Sequence, residues 1–392
     1  MRNNPRFIST IQKLVMILVG KWFKNFNNQT LTAVYKTYSF FIEWFFFFMT
    51  QNILLSIIIF RNCPERAAEL FCYYIQYLNS NICSLLSKRK NMRRIFNLIF
   101  EHDERMTTAS NVYTKYTNLN KKSAMFFFTS SMFVAIYWYI TTFKISLSTT
   151  ENDTTCVVQK GISYQLWYPF DMYNKCYPLT LTLDILLFFT AILTHIYNKI
   201  TPVSVFIFAL GQLKALQQRL RQIEERSSDM VQEQNMEFVV KEIIECIKMH
   251  QKIISLMSLI ESACKEIVLI GFFTNSLEIA AFIVYVLTSN IFIRMVVSAA
   301  ISALVCFQLF LTFWFANEIL VESVAISDII YYETNWINFD KKAKQLLRMM
   351  MARAQKPLCI NLPALGYMSM EIFKRIMKLC YSIVTFVKTI YL

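Results

Sequence analysis

Long uncharged stretches alternate with short basic segments along this chain. The apolar runs occupy Ser39–Phe60 (holding Glu43), Leu70–Leu86, Ser123–Phe143, Cys176–Asn198 (holding Asp184), Ile267–Ile293 (holding Glu278) and Met295–Asn317. A membrane-spanning helix needs about 20 mainly apolar residues, whereas a barrel strand needs only about ten that alternate. The lengths therefore predict helices. A last apolar stretch, Pro357–Leu392, is interrupted by Glu371, Lys374, Arg375 and Lys378 and supplies a seventh span. Near the start, Ile11–Val19 carries Lys13 and lacks a small-residue cleavage site, so it reads as an interfacial amphipathic helix and not as a secretory signal. Between the fourth and fifth spans, Leu213, Leu216, Leu220 and Ile223, then Ile243, Ile244, Ile247 and Ile254, recur near helical spacing. The fourth span is expected to run on as a helix beyond the bilayer, and a second long helix to return into the fifth. The predicted fold is all-α: a polytopic membrane protein of seven transmembrane helices with long helical extensions.

Composition agrees. The chain is 55% hydrophobic and only 17% charged, with five glycines and seven prolines, against about 25% charged residues in a typical soluble domain. The net charge of +14 would suit a nucleic-acid partner if it were clustered, but its distribution favours a membrane. With the N-terminus inside, the inner segments hold 30 of the 40 Lys and Arg residues and the outer loops hold only Arg61, Arg66, Lys144, Lys160, Lys175 and Arg294. Basic residues accumulate on the cytoplasmic side. Seven crossings then leave the C-terminus outside, the reverse of a G-protein-coupled receptor, and no nucleic-acid partner is expected.

The outer loop Ser146–Tyr177 contains the sequon Asn152-Asp153-Thr154, a glycosylation acceptor on a lumenal surface. A second sequon at Asn28 falls on the predicted inner side. Cys156 and Cys176 share the outer loop and are a candidate disulfide. The remaining cysteines are scattered and behave by default as small hydrophobes. His102, His195 and His250 stand apart from each other at no metal-ligand spacing, and no GxSxG, HExxH, Walker or GxGxxG motif occurs. No enzyme, metal or cofactor is expected. A membrane-embedded transporter or enzyme stays as the alternative from another class. Its charges would have to be Asp184, Glu278 or the last helix's stripe, and no repeat relates the two halves.

The C-terminal third carries a resemblance. Phe313-Trp314-Phe315-Ala316-Asn317-Glu318, Glu322-Ser323 and Tyr332-Glu333-Thr334-Asn335-Trp336 are followed by Lys344, Leu346 and Arg353-Ala354-Gln355-Lys356-Pro357-Leu358. Then come Ser369-Met370-Glu371, Phe373, Lys378 and Tyr381-Ser382. This order and spacing resembles the most characteristic region of insect odorant receptors. Trp167-Tyr168-Pro169-Phe170-Asp171 resembles their second outer loop, and Cys246-Ile247 with His250 and Ile254 resembles the helix before span five. The Arg353–Leu358 stretch and the Tyr381-Ser382 tail favour the odorant branch over gustatory receptors of the same superfamily, which are the nearer alternative.

The resemblance implies a subunit of a tetrameric, odorant-gated, non-selective cation channel in the dendritic plasma membrane of olfactory sensory neurons. The co-receptor of that family carries a large insertion between spans four and five that is not apparent here, so a tuning subunit is expected. Its partners would be co-receptor subunits, membrane lipid and a small, volatile, apolar odorant. The expected organisation is a cytoplasmic segment 1–38 with the interfacial helix and six spans across 39–317, with helical extensions at 199–266 and the outer loop at 146–177. A cytoplasmic anchor at 318–365 and a pore-lining helix at 366–392 complete it. The ligand is expected in the outer half of the bundle, where Tyr73, Tyr74 and Tyr77, then Ile136, Trp138, Tyr139 and Phe143, then Leu183 and Leu187 are candidates. Each of these residue types also serves as ordinary packing. Glu371, Lys374, Arg375 and Lys378 form one helical stripe, which suits a watery vestibule or an interface; snorkelling to the cytoplasmic surface is the alternative. By resemblance Phe386 falls at or beside an apolar constriction of the pore, with Ile390 one turn further out.

Overall fold

The structure, a computed structural model, describes residues 7–23, 28–62, 64–87, 90–105, 111–148, 162–164, 166–168, 176–227, 232–288, 292–363 and 365–391. The helices are α1 (Thr10–Leu18), α2 (Gln29–Ile59), α3 (Pro64–Ser87), α4 (Lys90–Arg105), α5 (Asn111–Ser148), α6 (Tyr177–Ser227), α7 (Gln232–Thr288), α8 (Phe292–Asp328), α9 (Lys341–Ala354) and α10 (Met370–Tyr391). Four of them, α2, α5, α6 and α8, are long and apolar enough to cross a membrane. The other three predicted spans fall on α3, α7 and α10 and pack among those four. The helical extensions expected between spans four and five are present: α6 runs for 51 residues and α7 for 57.

Helix α6 is the axis of the molecule. Every residue from Thr201 to Leu210 is buried, including Pro202 inside the helix. A helix hydrophobic all round must be covered all round. Here α5, α7 and α8 do most of the covering and α1 closes one side. Helix α1 is more firmly held than a helix resting on a surface. Val15 and Met16 are buried, the Gln12 amide donates to Ser204 Oγ at 2.9 Å, and Asn120 donates to the Phe7 carbonyl at 2.9 Å. Leu14 and Leu18 stay exposed on its outer face.

The turn after α1 brings Lys21 into the bundle, where it is 3% exposed. Its ammonium pairs with Glu43 of α2 and donates to the Ser84 carbonyl of α3 at 3.0 Å. The lone acid of the first span is thus one half of a buried pair, and removing either partner would leave an uncompensated charge. Gly20 makes the approach feasible. Its φ is +76°, and a Cβ placed there would meet Ser39 Cα at 2.8 Å.

At the far end of α6, ion pairs flank the buried Leu213, Leu216, Leu220 and Ile223. Lys214 pairs with Glu322 at 2.5 Å, Arg219 with Glu242 at 3.0 Å, and Arg221 with Glu333. Burial pushes the Glu322 carboxyl upward, but hydrogen bonds from Lys214 and Gln217 outweigh it and hold the group below the usual carboxylate range. Helix α8 loosens here into a π-helical turn, Ile329–Glu333, closed by the Thr334 hydroxyl donating to the Ile330 carbonyl at 2.6 Å. The Asp340 side chain caps α9. A two-stranded antiparallel hairpin, β1 (Asn361–Leu362) and β2 (Gly366–Tyr367), pairs Asn361 with Tyr367 and Leu362 with Gly366 and feeds α10.

The two positive-φ glycines among the described residues predict different outcomes. Gly20→Ala adds a backbone clash to the left-handed penalty of roughly 1–2 kcal/mol, so the thermal midpoint and the surface level of the protein should both fall clearly. Gly366→Ala carries φ +93° but meets nothing within 4 Å, so it should cost only the backbone penalty. Equal midpoints for the two variants would contradict the close approach at Ser39.

Candidate ligand pocket and pore-helix face

Helices α2, α3, α5 and α6 leave room between them near the ends joined by the 162–168 loop. Aromatic side chains fill most of it. The Tyr73 and Trp138 rings meet edge to face at 5.3 Å, Tyr164 lies 5.1 Å from Trp138 and 5.8 Å from Tyr73, and Phe46 stacks on Tyr77 at 5.3 Å. Rings prefer such tilted and offset contacts because of their quadrupoles. They border a cavity of about 100 Å³, continued inward by Ile192, His195, Ile301 and Val305.

The roof of the cavity is a loop held by a buried acid. Asp184 on α6 is almost wholly inaccessible and accepts three hydrogen bonds: from Tyr139 Oη at 2.8 Å, the Ser163 amide at 3.3 Å and the Tyr164 amide at 3.1 Å. The Trp167 amide donates to Ser56 Oγ of α2 at 2.9 Å. A charge inside a bundle is tolerable only when it is hydrogen-bonded. Asp184 meets that need with backbone that would otherwise lack partners.

The candidate residues read from the sequence distribute unevenly around this cavity. Tyr73, Tyr77 and Trp138 line it. Leu187 is buried in the same aromatic cluster, and Tyr74, Leu183 and Tyr139 pack against it. Phe143 stacks on Tyr139 at 6.5 Å, outside the lining. Ile136 is 43% exposed and faces away: two residues along a helix from Trp138 turns a side chain by roughly 200°. The lining also includes residues the sequence reading passed over, namely Phe46, Gln76, Ser80, Ser131, Tyr164 and His195. Their signal was available in part. Ser80, Ser131 and His195 each stand seven residues from an aromatic lining residue on the same helix: Tyr73, Trp138 and Phe188.

Helix α10 presents two faces. Ile372, Ile376 and Cys380 are buried against the bundle, with the Cys380 thiol 3.7 Å from the Ser276 carbonyl of α7. Leu379, Tyr381 and Phe386 are exposed, Phe386 by 67%. Glu371 and Arg375 form an exposed pair at 2.6 Å, and Lys374 and Lys378 are exposed beside them. The side chain of Ile390, and Asn152 and Cys156 of the outer loop, lie outside the described residues; Cys176 is half-buried at the start of α6.

Asp184→Asn tests the roof. An amide keeps the shape but places an NH2 group where a backbone N–H now donates, which costs about 1–3 kcal/mol locally. Amide hydrogen exchange at Ser163 and Tyr164 should accelerate roughly tenfold or more. Exchange at Thr201–Leu210 should stay as it was.

The comparisons with known proteins follow this geometry. A family model described as 7tm Odorant receptor matches residues 65–381. Odorant receptor Or2 of Anopheles gambiae is 27% identical over 216 residues, 55% of this chain and 57% of that protein. Odorant receptor 10 of Aedes albopictus is 26% identical over 241 residues, 59% of this chain and 61% of that one. The match thus spans about three-fifths of the length of these curated relatives. Among solved structures, the olfactory receptor OR5 of Machilis hrabei in complex with eugenol superposes with a TM-score of 0.75 over 98% of both chains at 15% identity. A second structure of the same receptor gives 0.76 over 96% of both at 16% identity. At such identity the likeness establishes the shared helical fold alone. Since the family match takes in most of the chain, from α3 into α10, the protein belongs to the 7tm odorant receptor family, a family of receptors and not of enzymes.

Proposed function

We propose that this chain is the odorant-binding, tuning subunit of a heteromeric, odorant-gated, non-selective cation channel. The observation that carries the reading is the aromatic, roofed cavity bordered by α2, α3, α5, α6 and α8 in a chain of this family. Small volatile ligands are mostly apolar, and sites for them are closed, apolar and aromatic with few polar groups. That the Machilis hrabei receptor has been solved with eugenol, a small aromatic compound, supports the same class of ligand here. In this reading Tyr73, Tyr77 and Trp138 touch the odorant. Leu187, Tyr74, Leu183 and Tyr139 support them, while Phe143 and Ile136 act at a distance if at all.

The orientation that goes with this reading keeps the N-terminal segment 1–38 in the cytoplasm and the C-terminus outside, in the plasma membrane of an olfactory neuron's dendrite. The six spans lie in 39–317, with α6 and α7 extending into the cytoplasm through 199–266. Segment 318–365 is the cytoplasmic anchor, although α8 runs without a break past Asn317 to Asp328. The exposed face of α10 is the pore-lining surface. A helix that buries one apolar stripe and leaves another open in a single subunit is suited to meet its counterparts around an axis. Asn152 is the glycosylation site and Cys156–Cys176 the outer-loop disulfide of this arrangement.

Expressed alone, the chain should give little or no current. With a co-receptor subunit it should give a cation current evoked by a small volatile, without added nucleotide and unaffected by blocking G proteins. A response that G-protein blockade abolishes overturns the channel reading.

Phe386 is the gate position. An apolar ring excludes water from a narrow pore until the helices separate. Phe386→Ser should therefore raise leak current without odorant, or change ion permeability, at unchanged surface level. If Phe386 only packs, surface protein falls and leak does not rise.

A further inference from the structure

We infer that the inner end of the pocket selects aromatic volatiles bearing one N–H or O–H group, and that His195 accepts that hydrogen. The inference rests on the odorant-binding reading above and adds the ligand's chemistry to it.

The register of three helices sorts the pocket into two levels. Tyr73 and Ser80 on α3, Trp138 and Ser131 on α5, and Phe188 and His195 on α6 are each seven residues apart, two helical turns or about 10 Å. From Tyr73 and Phe188 the polar residue follows in the chain, and from Trp138 it precedes. Since α5 runs opposite to α3 and α6, the three rings come together at the roofed end and Ser80, Ser131 and His195 at the inner end. A ring entering this site finds aromatic walls at one end and hydrogen-bonding groups at the other.

The hydrogen-bonding capacity at the inner end is not balanced. Gln308 of α8 is fully buried behind the lining and donates its amide to Ser131 Oγ at 2.9 Å, while its Oε1 has no hydrogen-bond partner of good geometry. Gln308 also faces the His195 ring. A neutral imidazole has one N–H and one bare nitrogen, and its tautomer follows from its neighbours. An amide oxygen in need of a donor beside His195 favours the N–H on that side, which leaves the bare nitrogen for the cavity. The hydroxyls of Ser80 and Ser131 can turn to donate or to accept, so at the inner end it is the bare His195 nitrogen, which can only accept, that calls for a donor. A ligand that brings one satisfies His195, and a ligand without one leaves a desolvated acceptor, the kind of mismatch that discriminates most strongly between otherwise similar molecules. The space suits a single substituted ring, being comparable to the ~150 Å³ cavity that takes up benzene.

Three probes of nearly one shape separate the possibilities: 4-methylphenol, 4-methylanisole and p-xylene. Binding is read as the thermal stabilisation of the full-length chain in lipid nanodiscs. The phenol should half-saturate at a concentration at least tenfold lower than the ether or the hydrocarbon. His195→Phe should abolish that preference, so that the phenol half-saturates at no lower a concentration than p-xylene. Gln308→Met, which keeps the volume and removes the oxygen that orients His195, should reduce the preference and serves if His195→Phe does not fold. Equal binding of all three probes, preference for the ether, no binding of any, or a phenol preference that survives both substitutions overturns the inference. Current recorded with a co-receptor is the separate readout of the function. Selective binding with no evoked current would sink the channel reading while leaving the pocket's selectivity in place.

Discussion

A polar group inside an apolar bundle surrounded by lipid has no water to turn to, so it must find its partner within the chain. Much of this structure is arranged by that requirement. Lys21 enters the bundle because Glu43 and the Ser84 carbonyl are there to receive it, and in doing so it fastens the α1 turn to α2 and α3. Asp184 takes the backbone amides of Ser163 and Tyr164 and the Tyr139 hydroxyl, and so holds that part of the outer loop over the pocket. Gln308 reaches Ser131 and ties α8 to α5 beside the pocket. Each bond joins elements far apart in the chain, which is why a handful of polar side chains decides how long apolar helices register against one another.

Apolar packing is divided between two regions of different character. The larger core follows α6 from its middle to its far end and includes α1, α4, α7, α8, α9 and the buried face of α10. The smaller one is aromatic and lies under the outer loop. Close packing of aliphatic side chains around α6 makes a stiff body, since interiors of that density transmit displacement instead of absorbing it. The aromatic cluster is built from large flat rings in tilted contact around a cavity. Both regions share α6, and α7 and α8 connect the stiff body to α10. In the proposed channel, a ligand at the aromatic end reaches the pore helix through those three helices and needs no separate element.

Much of this was legible from residue order. Hydrophobic runs of the right length give the helices, because the bilayer's thickness and the demand for internal backbone hydrogen bonding admit few alternatives. The extensions of α6 and α7 followed from helical spacing of Leu and Ile outside the apolar runs. Tyr73, Tyr77 and Trp138 were named because the family resemblance places the ligand in the outer half of the bundle and aromatic side chains suit an apolar ligand; all three line the cavity. The basic distribution predicts an orientation, which depends on the aqueous compartments and not on packing.

Tertiary structure decided what periodicity cannot carry. Ile136 and Trp138 look equivalent in the sequence, yet two residues of helical rotation place one on the outer surface and the other in the pocket. Glu43 and Asp184 appear as stray charges until Lys21 and the 162–168 loop are brought beside them, and no local pattern announces contacts across such sequence distances. Ser80, Ser131 and His195 acquire a common meaning only when α3, α5 and α6 are set in antiparallel register. Residue order alone dictated where the long apolar helices run, because that answers to the solvent around each segment. Which faces meet, and which polar groups share a level inside the bundle, was decided by long-range packing, because those depend on rotations and offsets that only the neighbouring helices impose.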